Sequence, residues 1–410
     1  YMKRYGATWL LMLVLGMPLA LFAQDTVSRA GSLVFPDLPQ FTYGQGLGII
    51  SPDSLYLLNI RFRMQNRLSF DLDDGEVIDV ESRVRRVRLR FDGFVFSPRI
   101  RYALQLSFAR EDIGDFIGAV PNILRDGMVY YEWHPQWIIG FGQTKLPGNR
   151  ERVVSSGDLQ LADRSMVNNI FNLDRDFGIQ VFHQRPLAGS FHYALKAALS
   201  TGEGRNWVSS SGGFLCYTVR GELLPLGLFT NKGDYFQGDL ARETSPKLSL
   251  AATYSYNHGA LRTQGQRGEA LFASRDIGTF IADGLFKYQG WALSAEYARK
   301  MVDDPITRPD ADPSRLAFIH KGEGLSLQGS YLFPRNYELV ARMTGVHADR
   351  EIRAFVPETS RAYTFGANKY LRGHRLKIQA DVTWQEDTWE TLRPGTTDFW
   401  QFRFQVELGI

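Results

Sequence analysis

Cysteine is nearly absent: Cys216 is the single one in 410 residues, so no disulfide framework can staple the fold. Beyond the first two dozen residues there is also no uninterrupted apolar run long enough to cross a bilayer as a helix. Charge of one sign is missing as well, since 47 basic residues meet 44 acidic ones for a net +3. Lysine is scarce, with ten in the chain, so the positive charge is carried mostly by arginine. Histidines 134, 183, 192, 258, 320, 347 and 374 are dispersed without metal-ligand spacing, and neither a nucleophile elbow nor a catalytic carboxylate pair stands out. These gaps argue against a helical membrane protein, a disulfide scaffold, a metal or cofactor site and an enzyme.

What is present is alternation. The stretch RVRRVRLRF at 83–91 sets Arg86, Arg88 and Arg90 against Val87, Leu89 and Phe91. A strand with guanidiniums on one face and apolar groups on the other needs water on the first side and an apolar medium on the second. The same period of two runs through 58–70, 100–109, 191–200, 248–257, 325–333, 375–384 and 400–410. Tight turns at 97–99, 134–136, 185–189, 289–290, 334–336 and 372–374 alternate with long polar links near 71–81, 110–123, 146–175, 201–213, 258–277, 301–323, 347–361 and 385–397. Short turns on one rim and long loops on the other predict an all-β, transmembrane antiparallel β-barrel of about sixteen strands, with periplasmic turns and extracellular loops. The link at 226–246 is the exception, being long where a turn is due.

The chain divides into a basic and then apolar leader at 1–23, read as a cleaved signal peptide, an irregular periplasmic segment at 24–54 and the barrel at 55–410. Export to the outer membrane of a Gram-negative bacterium follows. Aromatic residues near predicted strand ends, Tyr130, Tyr131, Trp133, Trp137, Trp291, Tyr331, Phe333, Trp384 and Trp400 among them, are expected in interfacial girdles.

Parity places Arg61, Arg63, Arg67, Arg86, Arg88, Arg90 and Arg101 inward as a positive wall, with Lys145 beside the longest loop. Such a wall concentrates anions, and the guanidinium fork suits phosphate. For Arg83 to face inward together with Arg86, a bulge is needed near Arg85 and Arg86. Glu296, Asp381 and Glu407 are acidic candidates for the facing wall. Loop 146–175, carrying Arg150, Arg152, Ser155, Ser156, Asp163 and Arg164, is too long for a connector and is expected to fold inward and narrow the pore.

The stretches GQTKLPGNRERVVSSGDLQLADRSMVNNIFNLDRDFGIQVF at 142–182, LPLGLFTNKGDYFQGDLARETSPKLSLAATYSYN at 224–257, YLFPRNYELVARMTGV at 331–346 and RAYTFGANKYLRGHRLKIQADVTW at 361–384 resemble the phosphate-selective porin O and P family. That resemblance also accounts for the long link at 226–246. It implies a sixteen-stranded, homotrimeric outer-membrane channel passing small anions such as phosphate or polyphosphate. Arg150, Glu151, Arg152, Ser155, Ser156, Asp163, Arg164 and Ser165 match its constricting-loop motif. Its phosphate-selective members carry a lysine-rich ladder, where this chain has only Lys145 beside the loop. The expected partners are outer-membrane lipid, lipopolysaccharide and small anions, with no nucleic acid and no cofactor. Two alternatives stay open: a general or organic-solute diffusion porin without phosphate selectivity, and a non-conducting scaffold barrel.

Overall fold

The computed structural model describes residues 46–110, 112–117, 120–206, 215–390 and 395–410. The leader at 1–23 and most of the segment at 24–54 lie outside the described residues. Sixteen long strands form the wall: β1 (Tyr56–Asp73), β2 (Glu76–Val95), β3 (Ser97–Ser107), β4 (Leu124–His134), β5 (Trp137–Lys145) and β6 (Arg175–Ala188). They continue as β7 (Phe191–Ser200), β8 (Cys216–Leu224), β9 (Lys247–Arg262), β10 (Ala270–Tyr288) and β11 (Trp291–Val302). The last five are β12 (Gly322–Phe333), β13 (Tyr337–Ala348), β14 (Thr359–Tyr370), β15 (Leu376–Trp389) and β16 (Gly395–Gly409).

Each strand pairs antiparallel with the next, and β16 closes on β1 from Arg63 opposite Gly409 to Leu72 opposite Trp400. Closure pairs the edges that an open sheet would expose to lipid. One short strand, Leu47–Ile50, continues the β16 edge by pairing with Leu57–Ile60 of β1, so the lead-in expected to be irregular is ordered at its end.

The two faces sort as alternation requires. Leu195, Val219, Leu250, Leu327, Met343, Phe365, Phe402 and Phe404 are exposed on the outside, while Arg86, Arg88, Gln180, Lys196, Thr253 and Gln405 are buried inside. Trp133, Trp137, Tyr131, Trp291, Phe333 and Trp400 are exposed as girdle residues should be. Tyr130 is the correction. It faces inward with no exposed surface and lies 6.4 Å from the Phe182 ring.

The predicted link at 71–81 is also corrected. β1 and β2 run on to a two-residue turn in which Asp74 and Gly75 both have positive φ (48° and 81°), the backbone a type I′ hairpin needs. Above the membrane no lipid demands an apolar side, so the strand continues while its alternation fades.

Two segments fold into the barrel. Loop 146–174 carries helices α1 (Arg150–Val153) and α2 (Met166–Phe171), the latter capped by Ser165, whose Oγ accepts from the Asn168 N–H at 3.1 Å. From the other rim, the link 225–246 enters with a 3-10 turn at Thr230–Tyr235. The two meet where the Gln237 N–H donates to the Asp158 carbonyl at 3.0 Å and the Gln160 N–H to Gln237 Oε1 at 2.8 Å.

Candidate functional site: the arginine wall and the infolded loop

Strands β1 and β2 bring like charges face to face. Arg61 sits opposite Arg90, and Arg63 opposite Arg88. Directly opposed cations repel unless something stands between them. For the first pair it is Asp92, which takes an ion pair from Arg61 and accepts from Arg90 Nε at 3.0 Å. For the second it is the loop. Ser156 Oγ accepts from Arg63 Nη2 at 2.7 Å and from Arg88 Nη1 at 2.9 Å, while Ser155 Oγ accepts from Arg63 Nη1 at 3.1 Å. Arg88 also donates to Asp112 at 2.7 Å, and Arg63 reaches Glu407 at 3.4 Å.

The register slips between Gln65 and Asn66, leaving Arg85 as the extra residue on β2. That is the bulge the arginine parity calls for. It lets Arg83, opposite Arg67, and Arg86, opposite Gln65, share the inner face.

The predicted wall is therefore present but engaged. Arg101 clamps its own turn, donating Nε to the Pro98 carbonyl at 2.8 Å, and so lies at the tight-turn rim, away from the infolded loop. Lys145 is a strut, with Nζ bonded to the carbonyls of Val153 at 2.9 Å and Val154 at 3.4 Å. Lys300 to Ile170, Lys377 to Leu159 and Lys287 to Gly233 repeat the pattern at 2.9, 2.5 and 2.6 Å. These inner lysines hold backbone carbonyls of the two infolded segments, because a buried ammonium needs acceptors.

Within the loop the predicted residues divide. Arg150 reaches the opposite wall, donating to Asp283 at 2.7 Å and Ser249 at 2.7 Å. Arg152 pairs with Asp174, and Arg164 donates to the carbonyls of Glu151 and Val154, both at 2.7 Å, so these two shape the loop itself. The acidic candidates also hold it: Asp381 accepts from the Ala162 N–H at 2.8 Å and Glu296 from Asn149 at 2.8 Å.

Asp163 is different. Arg67 pairs with its Oδ2, Arg403 Nη1 is 3.9 Å from the same oxygen, and Arg86 Nη2 and Arg85 Nη2 lie 3.8 and 3.9 Å from Oδ1. Arg342 donates to its main-chain carbonyl at 3.0 Å. The Asp163 side chain is 30% exposed, whereas those of Arg67 and Arg86 are 2% and 6%. Burial raises its carboxyl, but the charges of Arg67, Arg403 and Arg86 outweigh that and hold it well below the usual carboxylate range. Four guanidiniums, one of them also paired to Asp381 at 2.6 Å, thus surround one lumen-facing carboxylate. Arg85, Arg342 and Arg403 lie outside the predicted set. Arg403 was findable, since alternation in the last strand already points it inward beside Gln405.

A family model described as phosphate-selective porin O and P matches residues 58–408. The chain belongs to that family. It is an outer-membrane porin, a channel protein by family and fold. Among solved structures, the barrel is similar to the outer membrane channel DcaP of Acinetobacter baumannii (11% identity, TM-score 0.53, 88% of this chain and 99% of that one). It also resembles an anion-selective porin from Comamonas acidovorans (11%, 0.52, 86% and 99%) and OmpF of Salmonella typhi in complex with daunomycin (11%, 0.53, 89% and 100%). At these identities the likeness is one of fold. No curated relative matches the sequence.

Proposed function

We propose that this porin passes small anions, phosphate among them, by passive diffusion, and that the selective point is the guanidinium cluster at Asp163. The carrying observation is that Arg67, Arg85, Arg86 and Arg403 lie within 4 Å of a single carboxylate that water reaches. Two carboxylates, Asp163 and Asp381, against four guanidiniums leave a local positive excess, which raises the concentration of anions and lowers their barrier there. Arg63 and Arg88 support this point by keeping the loop in place through Ser155 and Ser156. A homotrimer in outer-membrane lipid and lipopolysaccharide, reached through a cleaved leader, belongs to the same proposal.

One observation favours a second reading, a non-conducting scaffold barrel: the infolded segments from the two rims hydrogen-bond to each other at Asp158 and Gln237. Single-channel recording in planar bilayers decides between them. Discrete open steps in potassium chloride are expected of the porin. A folded, inserted barrel that never opens would favour the scaffold.

A further inference from the structure

The solute class can be narrowed, on the strength of the anion-channel reading above. Asp163 is itself an anion held by the wall, and its two oxygens are held unequally. Oδ2 takes the Arg67 ion pair, while Oδ1 faces Arg86 and Arg85 at 3.8 and 3.9 Å, beyond hydrogen-bond length. Arg86 donates Nη1 to the neutral Gln65 Oε1 at 2.7 Å, and its buried Nε has no hydrogen-bond partner among the described residues. A buried guanidinium with one neutral acceptor and no carboxylate in bonding range is under-satisfied. It lies beside the most exposed carboxylate of the cluster.

We propose that small carboxylate-bearing solutes are the preferred anions of this channel, seated on the Arg85 and Arg86 side chains next to Asp163. The edge of a guanidinium offers two parallel N–H donors, which match the two coplanar oxygens of a carboxylate. Charge favours the same class. Asp163 stays ionised, so a second anion beside it must turn something other than an unprotonated oxygen toward Oδ1. A carboxylate spends both oxygens on arginine and turns its alkyl end away from them. Phosphate at pH 8 is largely a dianion with a single P–OH, so with two oxygens on arginine it still holds an unprotonated oxygen and a second negative charge near Asp163.

The test uses the full-length porin in planar bilayers at pH 8, with current carried by chloride, and titrates sodium acetate or sodium phosphate to half-block. Acetate is expected to block at a concentration about tenfold lower than phosphate. Arg86→Gln is expected to abolish the acetate block, and Asp163→Asn to bring the two anions within about threefold by removing the adjacent charge. Phosphate blocking at equal or lower concentration would overturn the proposal, as would an acetate block that survives Arg86→Gln. If phosphate blocks more strongly at pH 6 than at pH 8, and ahead of acetate, a protonated phosphate oxygen is donating to Asp163 and the carboxylate assignment fails. Should Arg86→Gln not assemble, the wild-type and Asp163→Asn titrations still decide. A cation-preferring chloride reversal potential would remove the anion-channel reading too, whereas anion preference with phosphate ahead removes only this narrower one.

Discussion

The two sides of the lumen hold the same loop by different physics. On the β1, β2 and β16 side, guanidiniums grip Ser155, Ser156 and Asp163 through hydrogen bonds and ion pairs. On the far side polar grips such as Arg150 on Asp283 are joined by apolar packing: Leu146, Val167, Phe171 and Leu173 lie on Ala198, Cys216, Ile281, Ala298 and Val346, which β7, β8, β10, β11 and β13 turn inward. Gly324 of β12 permits the close approach: a Cβ there would come within 2.7 Å of Val167. Polar grips can be exchanged for water or a solute anion; apolar burial cannot. The loop is therefore fixed on one side and exchangeable on the other, and the exchangeable side is where a solute can bind.

The far side should fail hardest. Phe171→Asp places a charge in the apolar cluster, and even Phe171→Ala should cost about 3–5 kcal/mol by leaving a cavity. The expected result is a loop detached from that wall and a several-fold rise in single-channel conductance; an unchanged conductance would mean that α2 does not occlude the lumen. The arginine side should yield more gently. Replacing Arg63 and Arg88 with alanine removes the bonds to Ser155 and Ser156, at about 1–3 kcal/mol for the buried Ser156 acceptor left unmade. Noisier open-channel current from a barrel whose far-ultraviolet circular dichroism is unchanged is the predicted outcome.

A smaller effect comes from Asp158, which burial pushes up to about 6 against the pull of Lys377 and Arg63. Because its folded value lies above the unfolded one, protonation favours the folded loop: the added stability is complete at low pH and fades as pH rises through about 6. Hydrogen exchange of residues 155–160 should be slower at pH 5 than at pH 7.5 after correction for intrinsic rates, and Asp158→Asn should abolish the difference. Arg101→Ala is the smallest case. It should shift thermal stability by less than about 1 kcal/mol and leave the chloride reversal potential where it was, because Arg101 serves its own turn.

The barrel was legible because a wall between lipid and water imposes one rule on every strand. Alternation gave the inner and outer faces, the turn spacing gave sixteen staves, and the arginine parity located the bulge at Arg85. The rule lapses where lipid ends, so Asp74 and Gly75 merge into an apparent long link although the D-G pair is itself a hairpin turn. Parity also says only that a side chain points inward. Whether Arg63 lines water or binds Ser156, 93 positions later, depends on the path of the loop, which alternation does not encode. For the same reason Lys145 reads as a pore charge until the carbonyls of Val153 and Val154 are seen above it.

The most direct test of the account is the zero-current potential of the purified porin across a tenfold potassium chloride gradient. Chloride-dominated permeation, with the potential carrying the sign of an anion channel and moving toward zero when Arg85 and Arg86 are both made glutamine, is the predicted result. A potassium-preferring potential in the unmodified protein would contradict it.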